Sequence, residues 1–154
     1  MAPLLTACSA FLLAVLWMDL IFDVQVFEHR DGDAELPEPV LASIAGYYRR
    51  ATTTSRPMSR LIALVMLILL GALGFQAAYG RDPVWLLVIS GCAAGLPVAL
   101  ALLHTVPSAV RLGSRVDAPA EQSCLARVVC RDHLVCFACM LGFLGLWVVR
   151  GLSI

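Results

Sequence analysis

Lysine is missing from these 154 residues altogether, so all eleven cationic side chains are arginines, and eleven acidic residues bring the formal net charge to zero. With no concentrated basic tail to neutralise phosphates, nucleic acid is excluded as a partner. Charge of either sign is scarce, at 14% against 60% apolar residues, and the mean hydropathy is +0.87. A soluble domain of this length cannot hide so much apolar side chain, because most of a small domain's residues touch its surface. Lipid as solvent removes the difficulty. The chain also lacks a phosphate loop, a nucleophile elbow and a zinc-protease motif, and its acidic loop lacks the Asp/Asn-Gly spacing of a calcium loop.

Nor is there a cysteine pair where thiol–disulfide chemistry would need one. Cys136-Phe137-Ala138-Cys139 is formally C-x-x-C, but it lies inside the last apolar run, whereas a quinone-linked thiol oxidase with four helices wants its pairs on the outer face. Cys124 and Cys130 fall on the reducing, cytoplasmic side. All six cysteines therefore read as small packing residues.

What the chain does contain is four long apolar runs. The first, about 3–27, has no basic residues ahead of it and is too long for a cleavable signal, so it reads as a retained membrane span. Leu5-Thr6-Ala7-Cys8 has the form of a lipoprotein cleavage box but no apolar segment before it. Further spans are expected at 57–79, 83–112 and 118–149, with Asp82-Pro83 and Asp117-Ala118-Pro119 as start signals. Between the first two, Pro37 and Pro39 open a segment in which Val40, Leu41, Ile44, Ala45 and Tyr48 recur at helical spacing. That pattern predicts a short interfacial helix over about 39–53, with Tyr47 and Tyr48 at headgroup level. The fold expected is all-α, a single domain over 1–154 forming an antiparallel four-helix membrane bundle. Gly91, Gly95 and Ala99 form a ridge of small residues that would let a neighbouring helix, a second copy or another membrane subunit approach closely.

Arginine placement orients the bundle. Arg30, Arg49, Arg50, Arg56, Arg60, Arg111, Arg115, Arg127 and Arg131 flank one set of loops, and only Arg81 and Arg150 lie on the other side. Nine against two predicts that both termini face away from the cytoplasm in a cell membrane. Depth then follows from the helical rise of ~1.5 Å per residue. Asp19 and Asp23, one turn apart on the first span, share a level with His104 on the third and with Arg131, Asp132 and His133 on the fourth. Unpaired charges at that depth cost roughly 2.5–3.5 kcal/mol each, so they should turn inward and pair, with Arg131 on Asp19 or Asp23 the expected couple.

Such a cluster could lock the helices together or form a functional centre, with a pocket among the first, third and fourth spans. In the second case His133 and His104 would move protons, Arg131 would hold an anionic oxygen, and Asp19 and Asp23 would orient them. Arg111, Tyr47, Tyr48 and Asp132 would contact a hydrophobic small molecule. The sequence requires no metal or cofactor, although His104 and His133 could ligate haem or iron with Asp19 and Asp23 in support. His29, in the acidic loop, reads as solvated.

The stretch His104-Thr-Val-Pro-Ser-Ala-Val-Arg-Leu-Gly-Ser-Arg115 resembles the small four-helix membrane proteins of the anthrone-oxygenase-like family. Arg131-Asp132-His133, Tyr47-Tyr48-Arg49-Arg50 and Arg56-Pro57-Met58 extend the likeness. The resemblance implies oxygen-dependent oxidation of an aromatic, hydrophobic substrate at the membrane, with His133, Arg131, Arg111 and His104 at the matching positions. The competing classes are a non-catalytic membrane subunit or anchor and, third, a transporter or channel.

Overall fold

The computed structural model describes residues 1–29 and 35–152. Arg30, Asp31 and Asp33 of the acidic loop lie outside the described residues. Every regular element among those described is helical. Helix α1 spans Ala2–Asp23 and tightens into a 3-10 turn, Val24–Glu28. Helix α2, Glu38–Arg49, opens at Pro37 and Pro39 as expected and widens into a π turn, Arg50–Thr54. Helix α3 is Arg56–Tyr79, α4 is Val84–Leu100, and α6 is Pro119–Leu152. The third predicted span differs most from expectation. It runs on from α4 through a π turn, Ala101–Thr105, into α5, Val106–Ser114.

Four helices are long and apolar enough to cross a membrane, and only 17–28% of each apolar window is buried inside the protein. Leu67, Trp85, Leu103 and Val149 all face outward. A monomer in water rarely tolerates so much contiguous apolar surface, whereas a hydrocarbon solvent requires it.

Helix α6 is the axis on which α1, α2, α4 and α5 pack, and α3 packs on α1 and α4. At the end holding both termini, Leu5, Leu12, Leu69, Leu86, Phe143 and Trp147 form one core. The Trp147 indole N–H, buried there, donates to Ser90 Oγ at 3.0 Å. Nearby Arg150 donates to Asp82 at 2.7 Å, and Gln76 donates to the same carboxylate. At the opposite end α2 lies against α5 and α6, with Leu41, Ile44, Tyr48, Leu112 and Val129 in a second core. Two polar contacts anchor it: the Leu36 N–H donates to Ser123 Oγ at 2.9 Å and Arg115 donates to Glu38 at 2.8 Å. Gly113 makes the approach feasible. A Cβ there would meet the Arg49 backbone nitrogen at 2.8 Å and the Tyr48 carbonyl carbon at 3.1 Å.

The small-residue ridge takes no part in packing within the chain, and the expectation for the cysteines changes. The ridge Gly91, Gly95, Ala99 faces outward, since a Cβ on either glycine would meet nothing within 4 Å; Leu86, Ser90, Ala94 and Pro97 supply the buried face of α4 instead. Of the cysteines, Cys8, Cys130 and Cys136 are buried, but Cys92 and Cys124 are exposed, so packing does not account for all six.

Candidate functional site

The site begins with two carboxylates one turn apart on α1. Asp23 is fully buried, at 0% exposure. It accepts from Tyr48 Oη at 2.6 Å and from His133 Nδ1 at 2.7 Å. An ionised carboxylate can only accept, so Nδ1 carries the hydrogen and the imidazole's other nitrogen, Nε2, is left for chemistry. That nitrogen lies 3.9 Å from Asp19 Oδ2. Asp19 in turn accepts from Tyr47 Oη at 2.5 Å, and Tyr47 stacks on Phe22 with ring centroids 4.1 Å apart. Three helices therefore meet in one network: α1 brings the acids, α6 the imidazole and α2 the phenols. Burial first, and then the neighbouring Asp19 and Asp23 charges, hold both phenol pKa values above the ordinary tyrosine range. Tyr47 and Tyr48 are therefore fixed donors near neutral pH.

Beside this network is a cavity of about 170 Å³. Its walls are apolar (Leu12, Leu16, Ile62, Met66, Val98 and Met140 among them), interrupted by Asp19, Thr105 and His133. The pocket expected among the first, third and fourth spans has a fourth wall, since α3 contributes Ile62, Met66 and Leu69. A dry apolar cavity of about 150 Å³ can hold a benzene-sized ring.

The backbone explains part of this space. Pro97, in the interior of α4, has no N–H to donate and breaks the regular ladder. The helix widens four residues later into the π turn that carries His104 and Thr105. Such bulges insert a residue and re-aim side chains. Thr105 is buried and lines the cavity, and its hydroxyl reaches both Leu100 O and Asp132 Oδ2 at 3.2 Å.

His133, Asp19, Asp23, Tyr47 and Tyr48 thus come together. Asp132 and His104 form a separate pair, Nδ1 to Oδ2 at 2.5 Å, with the Asp132 side chain buried and that of His104 47% exposed. Arg131 does not pair with Asp19 or Asp23. It lies 3.5 Å from Asp132 Oδ1, with its side chain 68% exposed. Two residues along a helix are about 200° around its axis, so the rotation that turns His133 into the bundle turns Arg131 out. Arg111 is also remote from the cavity, bound to Asp117 at 2.8 Å and Glu121 at 3.4 Å on the surface. The His29 ring meets its own segment, with Nδ1 3.4 Å from Gln25 O, and its backbone carbonyl accepts from Arg127 at 3.4 Å. Sequence reasoning missed Thr105. The signal available was Val98, Ala101 and Thr105 at i, i+3 and i+7, one helical face bearing a single polar residue below Pro97.

The residues present do not fit haem or iron. Among the described residues no three His, Cys, Asp or Glu side chains are grouped to hold a metal ion. His133 Nε2 is the one imidazole nitrogen not held by Asp23, and a cavity of about 170 Å³ is smaller than a porphyrin. Comparison with family models, curated proteins and solved structures finds no match to this chain.

Proposed function

We propose that this chain is a multi-pass membrane protein of the cell membrane, an antiparallel bundle with both termini on the non-cytoplasmic side and α2 at the cytoplasmic interface. Within it, His133 transfers a proton to or from a ring-sized, lipid-soluble molecule held in the cavity. One observation carries the reading: a buried imidazole oriented by a fully buried carboxylate, standing in the wall of an apolar cavity. A lock between helices needs charge pairs only, and leaves no reason for an imidazole in the wall of an apolar cavity.

In this scheme Asp23 and Tyr48 hold the tautomer. His133 Nε2 takes a proton from an activated ring C–H or O–H, and Asp23 and Asp19 stabilise the imidazolium that results. The Thr105 hydroxyl is the donor nearest at hand for negative charge developing on the ligand. With dioxygen as oxidant, deprotonation of an aromatic ring compound is the first step of the oxygenase chemistry implied by the resemblance to the anthrone-oxygenase-like proteins. The test is oxygen uptake by purified protein given hydroquinone, a single ring with an ionisable O–H, compared with His133→Gln. Loss of uptake in a normally folded variant is expected; equal uptake would end the catalytic reading. The rival reading, a subunit that packs on other membrane proteins, rests on the outward ridge of Gly91, Gly95 and Ala99. It is favoured if His133→Gln lowers thermal stability and changes nothing else. The orientation is tested by labelling single cysteines placed at positions 33, 81 and 117 in intact cells; reagent reaching 33 and 117 but not 81 would reverse it.

A further inference from the structure

The pair His104–Asp132 takes no part in the Asp23–His133 network, yet it too reaches the cavity. The buried Asp132 carboxylate has two partners on the same oxygen, the exposed His104 imidazole at 2.5 Å and the cavity-lining Thr105 hydroxyl at 3.2 Å. Sequence neighbours on an α-helix are about 100° apart and do not converge on one atom readily. The π turn is what brings 104 and 105 to one carboxylate. Asp132's other oxygen is 3.5 Å from Arg131, and the His133 imidazole and the Cys136 thiol also lie within reach of its charge.

We infer that His104, Asp132 and Thr105 form a proton path between the surface and the cavity wall, serving a ligand with an ionisable ring C–H or O–H. The inference rests on the reading that the cavity holds such a ligand. The Thr105 hydroxyl has one hydrogen and two acceptors at equal distance, Leu100 O and Asp132 Oδ2, so it can rotate between a resting and a relaying position. To protonate a ligand anion, Thr105 Oγ1 gives its hydrogen and takes one from the Asp132 carboxyl. Asp132 takes one from the His104 imidazolium; His104, ~30 Å along the span from Val84 and so at the inner edge of a ~30 Å hydrocarbon core, is recharged from interfacial water. One proton moves inward and no electrons are transferred; the same steps in reverse carry a proton out. With His133 also in the wall, a single cavity then has one group to remove a proton and a separate route to deliver one. The bland account, that Asp132 only pins two helices, does not require a buried hydroxyl bridging to the cavity.

The test uses full-length protein in detergent micelles with 4-nitrophenol as probe, whose phenolate absorbs visible light. Equilibrium titration gives its affinity, and a stopped-flow pH jump gives the rate at which the bound probe gains or loses its proton. Thr105→Val keeps the shape and deletes the hydroxyl, Thr105→Ser restores it, and His104→Gln removes the surface group. The expectation is a slowing of at least roughly ten-fold in Thr105→Val and His104→Gln, with affinity unchanged in His104→Gln, which stands outside the cavity, and with Thr105→Ser near wild type. Saturable binding with unchanged rates in both variants would overturn the path alone. A parallel fall in affinity in all three variants would make Thr105 a packing residue and also overturn it. No saturable binding to wild type would remove the ring-binding cavity, and the path with it.

Discussion

Tyr48→Phe is the sharpest perturbation of the network, because it removes one oxygen and leaves the ring that packs among Leu41, Ile44 and Leu112. Asp23 is wholly buried and has two donors, at 2.6 and 2.7 Å. Deleting the phenol strips a buried carboxylate of one of them. Hydrogen bonds to charged groups contribute about 1.5–3 kcal/mol, against about 0.5–1.5 for neutral pairs. In Asp23→Asn the same phenol meets a neutral amide, so its removal costs only the smaller amount. The coupling energy of the cycle Tyr48→Phe with Asp23→Asn should therefore be about 1–2 kcal/mol, or roughly five- to thirty-fold in the unfolding constant. Unfolding in mixed dodecyl maltoside–dodecyl sulfate micelles, followed by tryptophan fluorescence for the four proteins of the cycle, measures it. Effects that add within ~0.5 kcal/mol would show that Tyr48 and Asp23 do not meet, and the orientation argument for His133 would fail.

Gly113→Ala should lift α2 off α5, because its Cβ would lie 2.8 Å from the Arg49 backbone nitrogen. A loss of about 1–3 kcal/mol and weaker ligand binding are expected, and wild-type stability would show that this contact is looser than drawn. Arg131→Gln, at an exposed 3.5 Å contact, should cost less than ~1 kcal/mol in the same denaturation assay. A cost near ~3 kcal/mol would instead indicate that Arg131 neutralises a buried carboxylate. Between α3 and α4, hydrogen bonds from Gln76 and Arg150 hold the Asp82 pKa below the usual carboxylate range. A depressed folded pKa stabilises above the unfolded value of about 3.9, and that stability is lost as pH falls through the folded one. Asp82→Asn should therefore flatten the acid side of the stability curve below about pH 4, and identical slopes in variant and wild type would refute the pairing.

The four apolar runs, the proline-opened helix carrying Tyr47 and Tyr48, and the common level of Asp19, Asp23 and His133 were all legible in the sequence. Hydropathy and a fixed rise per residue set which segments suit lipid and how deep each polar group lies, and both are local properties. Partner choice was not local. Arg131 and His133 share a level, and only the rotation of α6 against α1 turned one outward and the other onto Asp23. A helix apolar nearly all round carries little pattern from which to read that rotation, so close packing on its neighbours decides it. The same holds for the phenols, whose seats on Asp19 and Asp23 depend on α2 closing over Gly113. It holds in part for Thr105: regular spacing puts it on the cavity face with Val98 and Ala101, but its meeting with His104 on one Asp132 oxygen comes from the widened turn below Pro97. Periodicity counted on a regular helix places a residue on a face; the π turn moves that face, and its position depends on a backbone hydrogen bond that only the folded chain shows to be displaced.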